Sequence, residues 1–199
     1  MPRPRKSEPD ENATVKMENA FWSLLETEKY RDITVLRISQ EAGINRNSFY
    51  YHYRDIDDLA YKAFMNNAYN DVTKTLVTAL LSAFQEGKSA PVFDMSILPY
   101  SKRIMLCARS DSPYLNQLVN ELLKKAWFDS ISVREDMLSE DEKLQFRFIS
   151  AGIVAVLGSQ EVEHNPLFMS MLSQSEIGKA IISTVKNIAS KQKNGIVKS

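Results

Sequence analysis

Residues 33 to 53 read Ile33-Thr-Val-Leu-Arg-Ile-Ser-Gln-Glu-Ala-Gly-Ile-Asn-Arg-Asn-Ser-Phe-Tyr-Tyr-His-Tyr53. Thr34 carries a hydroxyl able to accept from first-turn amides, so it predicts a helix over 35–42 with Val35, Ile38 and Ala42 on one inward face. Gly43 supplies the left-handed backbone with which helices often end, and Asn45 is a cap for a second helix from Arg46 to about Tyr53. That helix buries Phe49 and Tyr53, four positions apart, and leaves Arg46, Asn47, Ser48, Tyr50, Tyr51 and His52 for other faces. So short a helix with so few apolar residues needs a purpose besides core filling.

Outward from this corner the chain reads as helix throughout. Met17, Ala20, Phe21, Leu24 and Leu25 mark one face of a helix over about 12–28, broken at Lys29 to Asp32. From Asp55 or Asp57 a long helix is predicted to about Glu86, with Leu59, Ala63, Val72, Leu76 and Leu80 inward, ended by Gly87. Phe93 to Arg109 reads as helical with Pro99 shifting its start, and the cluster Ser110 to Pro113 opens a helix to about Ile131. Its apolar face carries Leu115, Leu118, Val119, Leu122, Leu123 and Ala126. Ser139 with Glu142 forms a capping box before a helix with the row Leu144, Phe148, Ala151, Gly152, Ala155 and Val156, ending before Asn165. Ser173 with Glu176 repeats that signal before a last helix over about 174–191, striped by Ile177, Ile181, Thr184 and Ile188. The expected fold class is all-α.

Bulk properties narrow the function classes. The 199 residues, 44% hydrophobic and 25% charged, suffice for a substantial core. Twenty-five basic residues balance 25 acidic ones, so nucleic-acid binding has to rest on local charge: Arg37, Arg46, Arg54 and His52 against Glu41 alone across residues 37–54. Arg3, Arg5 and Lys6 make residues 1–11 a flexible basic arm, either a solubilising tail or a segment that enters a minor groove. One cysteine, Cys107, and no apolar leader or membrane-length run predict a cytoplasmic chain that makes no membrane contact. No glycine-rich phosphate loop, nucleophile elbow or close His and Cys cluster is present, so no enzyme, cofactor or metal site is expected. The acids Glu140, Asp141 and Glu142 suit a helix N-terminus better than catalysis.

The segment resembles the helix-turn-helix of TetR-type transcription regulators. The residues that carry the likeness are Thr34, Val35, Ile38, Ala42, Gly43, Ile44, Asn45, the run Arg46 to Tyr50, and Tyr53, and it extends from about Lys16 into helix four. The chain departs from the family at Ile56, where members often carry a lysine, with Asp55, Asp57 and Asp58 nearby. A short helix presented across a tight corner can enter the major groove of double-stranded DNA with its N-terminal side chains at base edges. Arg46 is the candidate base reader, through two hydrogen bonds to guanine, with a phosphate contact as its rival role. Asn47 and Ser48 read bases or position their neighbours, and Asn45 at the same helix end is grouped with them. The resemblance assigns Thr34, Tyr50, Tyr51 and His52 to phosphates, and Arg37 to either role.

The family further implies an N-terminal three-helix DNA-binding domain, residues 12–60, and a larger C-terminal helical domain, 61–199, for ligand binding and dimerisation. It implies a homodimer formed by the last two helices, where the small row Ala151, Ala155 and Ser159 permits close approach, and a pocket for an unknown small-molecule effector. Tyr100, Arg103, Cys107, Gln117 and Trp127 are the candidate effector contacts. The function implied is a ligand-responsive regulator, a repressor, on a palindromic operator. The alternative is a co-regulator of the same fold that works mainly through a protein partner.

Overall fold

A computed structural model describes residues 11–68, 100–165, 171–172 and 174–196. Among them every regular element is helical, and no helix is long and apolar enough to cross a membrane. The basic arm over residues 1–10, the second half of the long helix expected to Glu86, and the stretch 93–99 lie outside the described residues.

Helix α1 (Glu11–Thr27) buries the expected face: Met17 and Phe21 are fully enclosed, with Ala20, Leu24 and Leu25 beside them. Full burial of a side chain such as Phe21 is worth roughly 1.5–3 kcal/mol. Trp22, outside that stripe, is buried as well. A single 3-10 turn, Tyr30–Asp32, leads into α2 (Val35–Ala42). The Thr34 hydroxyl caps α2 by accepting from the Arg37 amide at 3.2 Å, and Gly43 ends it at φ 64°. The Asn45 side chain then caps α3 (Arg46–His52) by accepting from the Asn47 amide at 2.8 Å. Ile38 and Phe49 are fully buried and Tyr53 nearly so, which locks the corner between the two helices onto α1. Helix α4 (Ile56–Ala68) follows at once, with Leu59 and Ala63 enclosed.

The second half of the fold begins with α5 (Ser101–Arg109) and α6 (Pro113–Ile131), the latter capped by the Ser112 hydroxyl with Pro113 in its first turn. Helix α7 (Glu140–Leu157) opens on the Ser139 and Glu142 capping box, where the Ser139 hydroxyl accepts from the Glu142 amide at 3.2 Å and Glu142 accepts from the Ser139 amide at 3.0 Å. It does not run on toward Asn165 as expected. It ends at Leu157 with Gly158 as its C-cap, where a Cβ would lie 2.7 Å from the Ala108 carbonyl oxygen, and a separate short α8 (Gln160–His164) follows. At the start of the last helix, α9 (Glu176–Ile196), the Ser175 hydroxyl accepts from the Gly178 amide at 3.1 Å; Ser173 of the expected capping pair lies outside the described residues. Gln192 of α9 accepts from the Arg134 amide at 2.9 Å and donates to the Arg134 carbonyl at 3.0 Å, stitching α9 to the loop before α7.

One continuous core joins α1–α4 to α5, α6 and α7. A second, smaller core gathers Val133, Leu138, Phe146, Val185 and Ile188 at the far end. Helix α7 faces these cores with Phe146, Ile149, Val154 and Leu157. The row read from the sequence, Leu144, Phe148, Ala151, Gly152 and Ala155, lies on its opposite, exposed side, with Leu144 61% and Phe148 77% exposed.

Candidate nucleic-acid interface

Helix α3 is anchored by one edge. Phe49 and Tyr53 stack within the core at 5.5 Å between ring centroids, and the Tyr53 hydroxyl donates to Glu18 of α1 at 3.3 Å. Burial beside Glu18 raises that phenol above its ordinary range, so it remains a donor. The other faces of α3 turn outward: Arg46, Asn47, Tyr50 and Tyr51 are exposed, Tyr51 more than Tyr50, while Ser48 and His52 are half-buried. Among the described residues nothing pairs with the Arg46 or Asn47 side chain. Tyr50 rests edge-on against Phe49 at 5.5 Å, which fixes its ring while half of it stays in solvent.

Three expected contacts have structural work already. Thr34 and Asn45 use a side-chain oxygen as a helix cap, although the Thr34 hydroxyl proton and the Asn45 amide group stay available to donate. Arg37 forms an ion pair with Glu28 at the end of α1, so a DNA contact from Arg37 has to share or break that pair.

The acidic start of α4 is largely consumed internally. Asp55 caps the helix by accepting from the Asp58 amide at 2.8 Å, and Asp58, 8% exposed, accepts from the Arg54 amide at 3.0 Å. Lys62 donates to Asp58 at 3.0 Å and to the His52 carbonyl at 3.1 Å, tying the end of α3 to α4. Asp57 accepts from the Tyr30 hydroxyl. The sequence reading took Asp55 or Asp57 as the start of α4 and named the acids as a departure from the family, but it missed that Asp58 and Lys62 tie the end of α3 to α4 and that Tyr30 holds Asp57. The Asp-x-x-Asp spacing, a capping-box pattern with aspartates, was the available signal.

The five effector candidates do not meet in one place. Gln117 and Trp127 line an open cleft of about 360 Å³ between α6 and α7, with Phe128 and Phe146 beside Trp127 and a rim of Lys124, Glu135, Lys143 and Arg147. Tyr100 and Arg103 lie elsewhere, with the Arg103 guanidinium over the Tyr100 ring and over that of Trp22 of α1. Cys107 is wholly enclosed in the main core, where burial pushes its thiol up to about 12, and it reaches neither group as a ligand contact.

No model of a known protein family matches this chain, and no curated protein sequence matches it.

Proposed function

We propose that the protein is a ligand-responsive TetR-type transcription regulator, a repressor, that grips a near-palindromic operator as a homodimer. The observation that carries this reading is α3: a short helix held by Phe49 and Tyr53, with Arg46, Asn47, Tyr50 and Tyr51 exposed. Such a helix suits the major groove, with Arg46 at a base edge and the tyrosine hydroxyls at phosphates. Of the three acids that follow α3, Asp58 has its charge balanced by Lys62 and Arg54, which lowers the electrostatic cost of bringing this face to DNA despite the missing family lysine. The exposed Leu144, Phe148, Ala151 and Ala155 row is the proposed dimer contact, because contiguous apolar surface is uncommon on a monomer and the small residues permit close approach. The effector is assigned to the α5–α7 half of the chain.

The reading is tested by measuring binding to DNA fragments over a range of salt concentrations. Phosphate contacts release counterions, so affinity should fall steeply and log-linearly with salt. A protein that worked only through a protein partner would show no DNA binding and no such slope.

A further inference from the structure

Arg103 stands in the first turn of α5, half-buried, with its guanidinium carbon 5.0 Å from the centroid of the Trp22 ring and 5.8 Å from that of Tyr100. Among the described residues no carboxylate pairs with it and no acceptor takes its N–H groups. Its neighbour Lys102 is committed to Glu26 at 2.7 Å. Trp22 is 5% exposed, and its indole Nε1–H is buried without an acceptor. Aromatic faces attract the cation but give its in-plane N–H groups nothing to bond, and a buried indole N–H ordinarily finds a partner. Two unmet donor sets thus occur on side chains stacked against each other.

We infer that the Arg103, Trp22 and Tyr100 cradle is a seat for the carboxylate of a monocarboxylic acid with an apolar body. The guanidinium fork matches a carboxylate edge in two parallel hydrogen bonds. One cation balances one negative charge, whereas a phosphate dianion would leave excess charge in a half-buried site. The half-buried Tyr100 ring offers the acid's apolar body a wall. The seat names the chemical class of the effector and rests on the regulator reading for its consequence at DNA, although binding itself does not require that reading.

The test titrates the full chain with benzoate and hexanoate, with benzamide and hexanamide as uncharged counterparts and inorganic phosphate as a second anion. Tryptophan fluorescence and melting temperature are followed at fixed pH and ionic strength. At least one acid should saturate and raise the melting temperature, while the amides and phosphate leave it unchanged. Arg103→Met, which keeps an unbranched apolar stem between the rings, should weaken acid binding by about tenfold or more. Arg103→Lys, which keeps the charge and loses the fork, should bind acids several-fold more weakly than the natural chain, and it carries the test if the Met variant does not fold. No saturable response to either acid, an equal response to phosphate or the amides, or unchanged acid affinity in both variants would overturn the seat. Acid binding that depends on Arg103 but leaves DNA affinity unmoved would uphold the seat and overturn its role as the effector site. DNA release by acid in the natural chain and not in Arg103→Met would uphold both.

Discussion

The Tyr114 hydroxyl donates to the main-chain carbonyl of Asp57 at 3.1 Å, joining the first turn of α6 to the first turn of α4. On the same aspartate, the carboxylate accepts from Tyr30, whose ring lies 6.4 Å from that of Tyr114. Burial, then the Asp57 hydrogen bond and charge, raise the Tyr30 phenol far above its ordinary range, so it stays a donor at any physiological pH. Asp57 is therefore gripped from both halves of the molecule just beyond the end of α3. A shift of α6 has a direct path to the helix that follows α3.

Removing only the Tyr114 hydroxyl tests that path. Tyr114→Phe should cost roughly 0.5–1.5 kcal/mol, the net worth of one hydrogen bond, and keep the fold. Amide hydrogen exchange in the first turn of α4 should accelerate while exchange in the α6 core stays as it was. Unchanged exchange at α4 would show that the bond does not restrain it.

Asp58 should make stability depend on pH. Burial alone would raise its carboxyl, but the Arg54 amide, followed by the Lys62 hydrogen bond and the charges of Lys62 and Arg54, holds it below the usual carboxylate range. A carboxyl lowered in the folded state stabilises above its unfolded pKa, about 3.9 for aspartate, and loses that contribution as pH falls through the folded value. Asp58→Ala should therefore cost on the order of 1–3 kcal/mol at neutral pH by stranding the Arg54 amide and Lys62. The gap between variant and natural chain should narrow below about pH 4. Urea denaturation at both pH values measures it, and a gap that stays constant would contradict the charge's role.

How much of this was legible depended on how local the signal was. Helices α2 and α3 were readable to within a residue because Thr34 and Asn45 accept from amides three and two positions on, and Gly43 ends α2 by its own left-handed backbone. The end of α7 was not, because the close packing of Gly158 on Ala108, where no side chain fits, involves a residue fifty positions earlier. Helix α7 is apolar on two sides, so periodicity found the Leu144, Phe148 and Ala155 row but missed the Phe146, Ile149, Val154 and Leu157 face that fills the core. The pocket implied by the resemblance likewise grouped Cys107 with Trp127, although Cys107 fills the main core and Trp127 lies beside the second.

That exposed row gives the clearest test of assembly. Phe148 is 77% exposed, so Phe148→Glu should leave the fold intact while placing a charge inside the proposed contact, where an unpaired charge is costly. Light scattering should find the natural chain dimeric and the variant monomeric at the same concentration. A variant that remains dimeric would move the interface elsewhere.

Arg46 and Tyr50 should fail differently. Arg46→Ala is expected to cost on the order of 1–3 kcal/mol on the preferred DNA site and to relax preference at one base pair per half-site. Tyr50→Phe removes one hydroxyl and should weaken every sequence by similar factors without changing their order. Both side chains are exposed, so neither change should lower the melting temperature, whereas Phe49→Ala in the core should cost roughly 3–5 kcal/mol of stability. A uniform loss across sequences in Arg46→Ala would make it a phosphate clamp and move base reading to Asn47 or Arg37.

The central claim, that α3 reads DNA for a two-fold symmetric dimer, is tested most directly by selecting bound duplexes from a random pool with the full chain at near-physiological salt. The expected product is one enriched, near-palindromic site with half-sites about one or more helical turns apart, mirroring the protein's symmetry. A pool that yields no enriched sequence, or a site with no dyad, would contradict it.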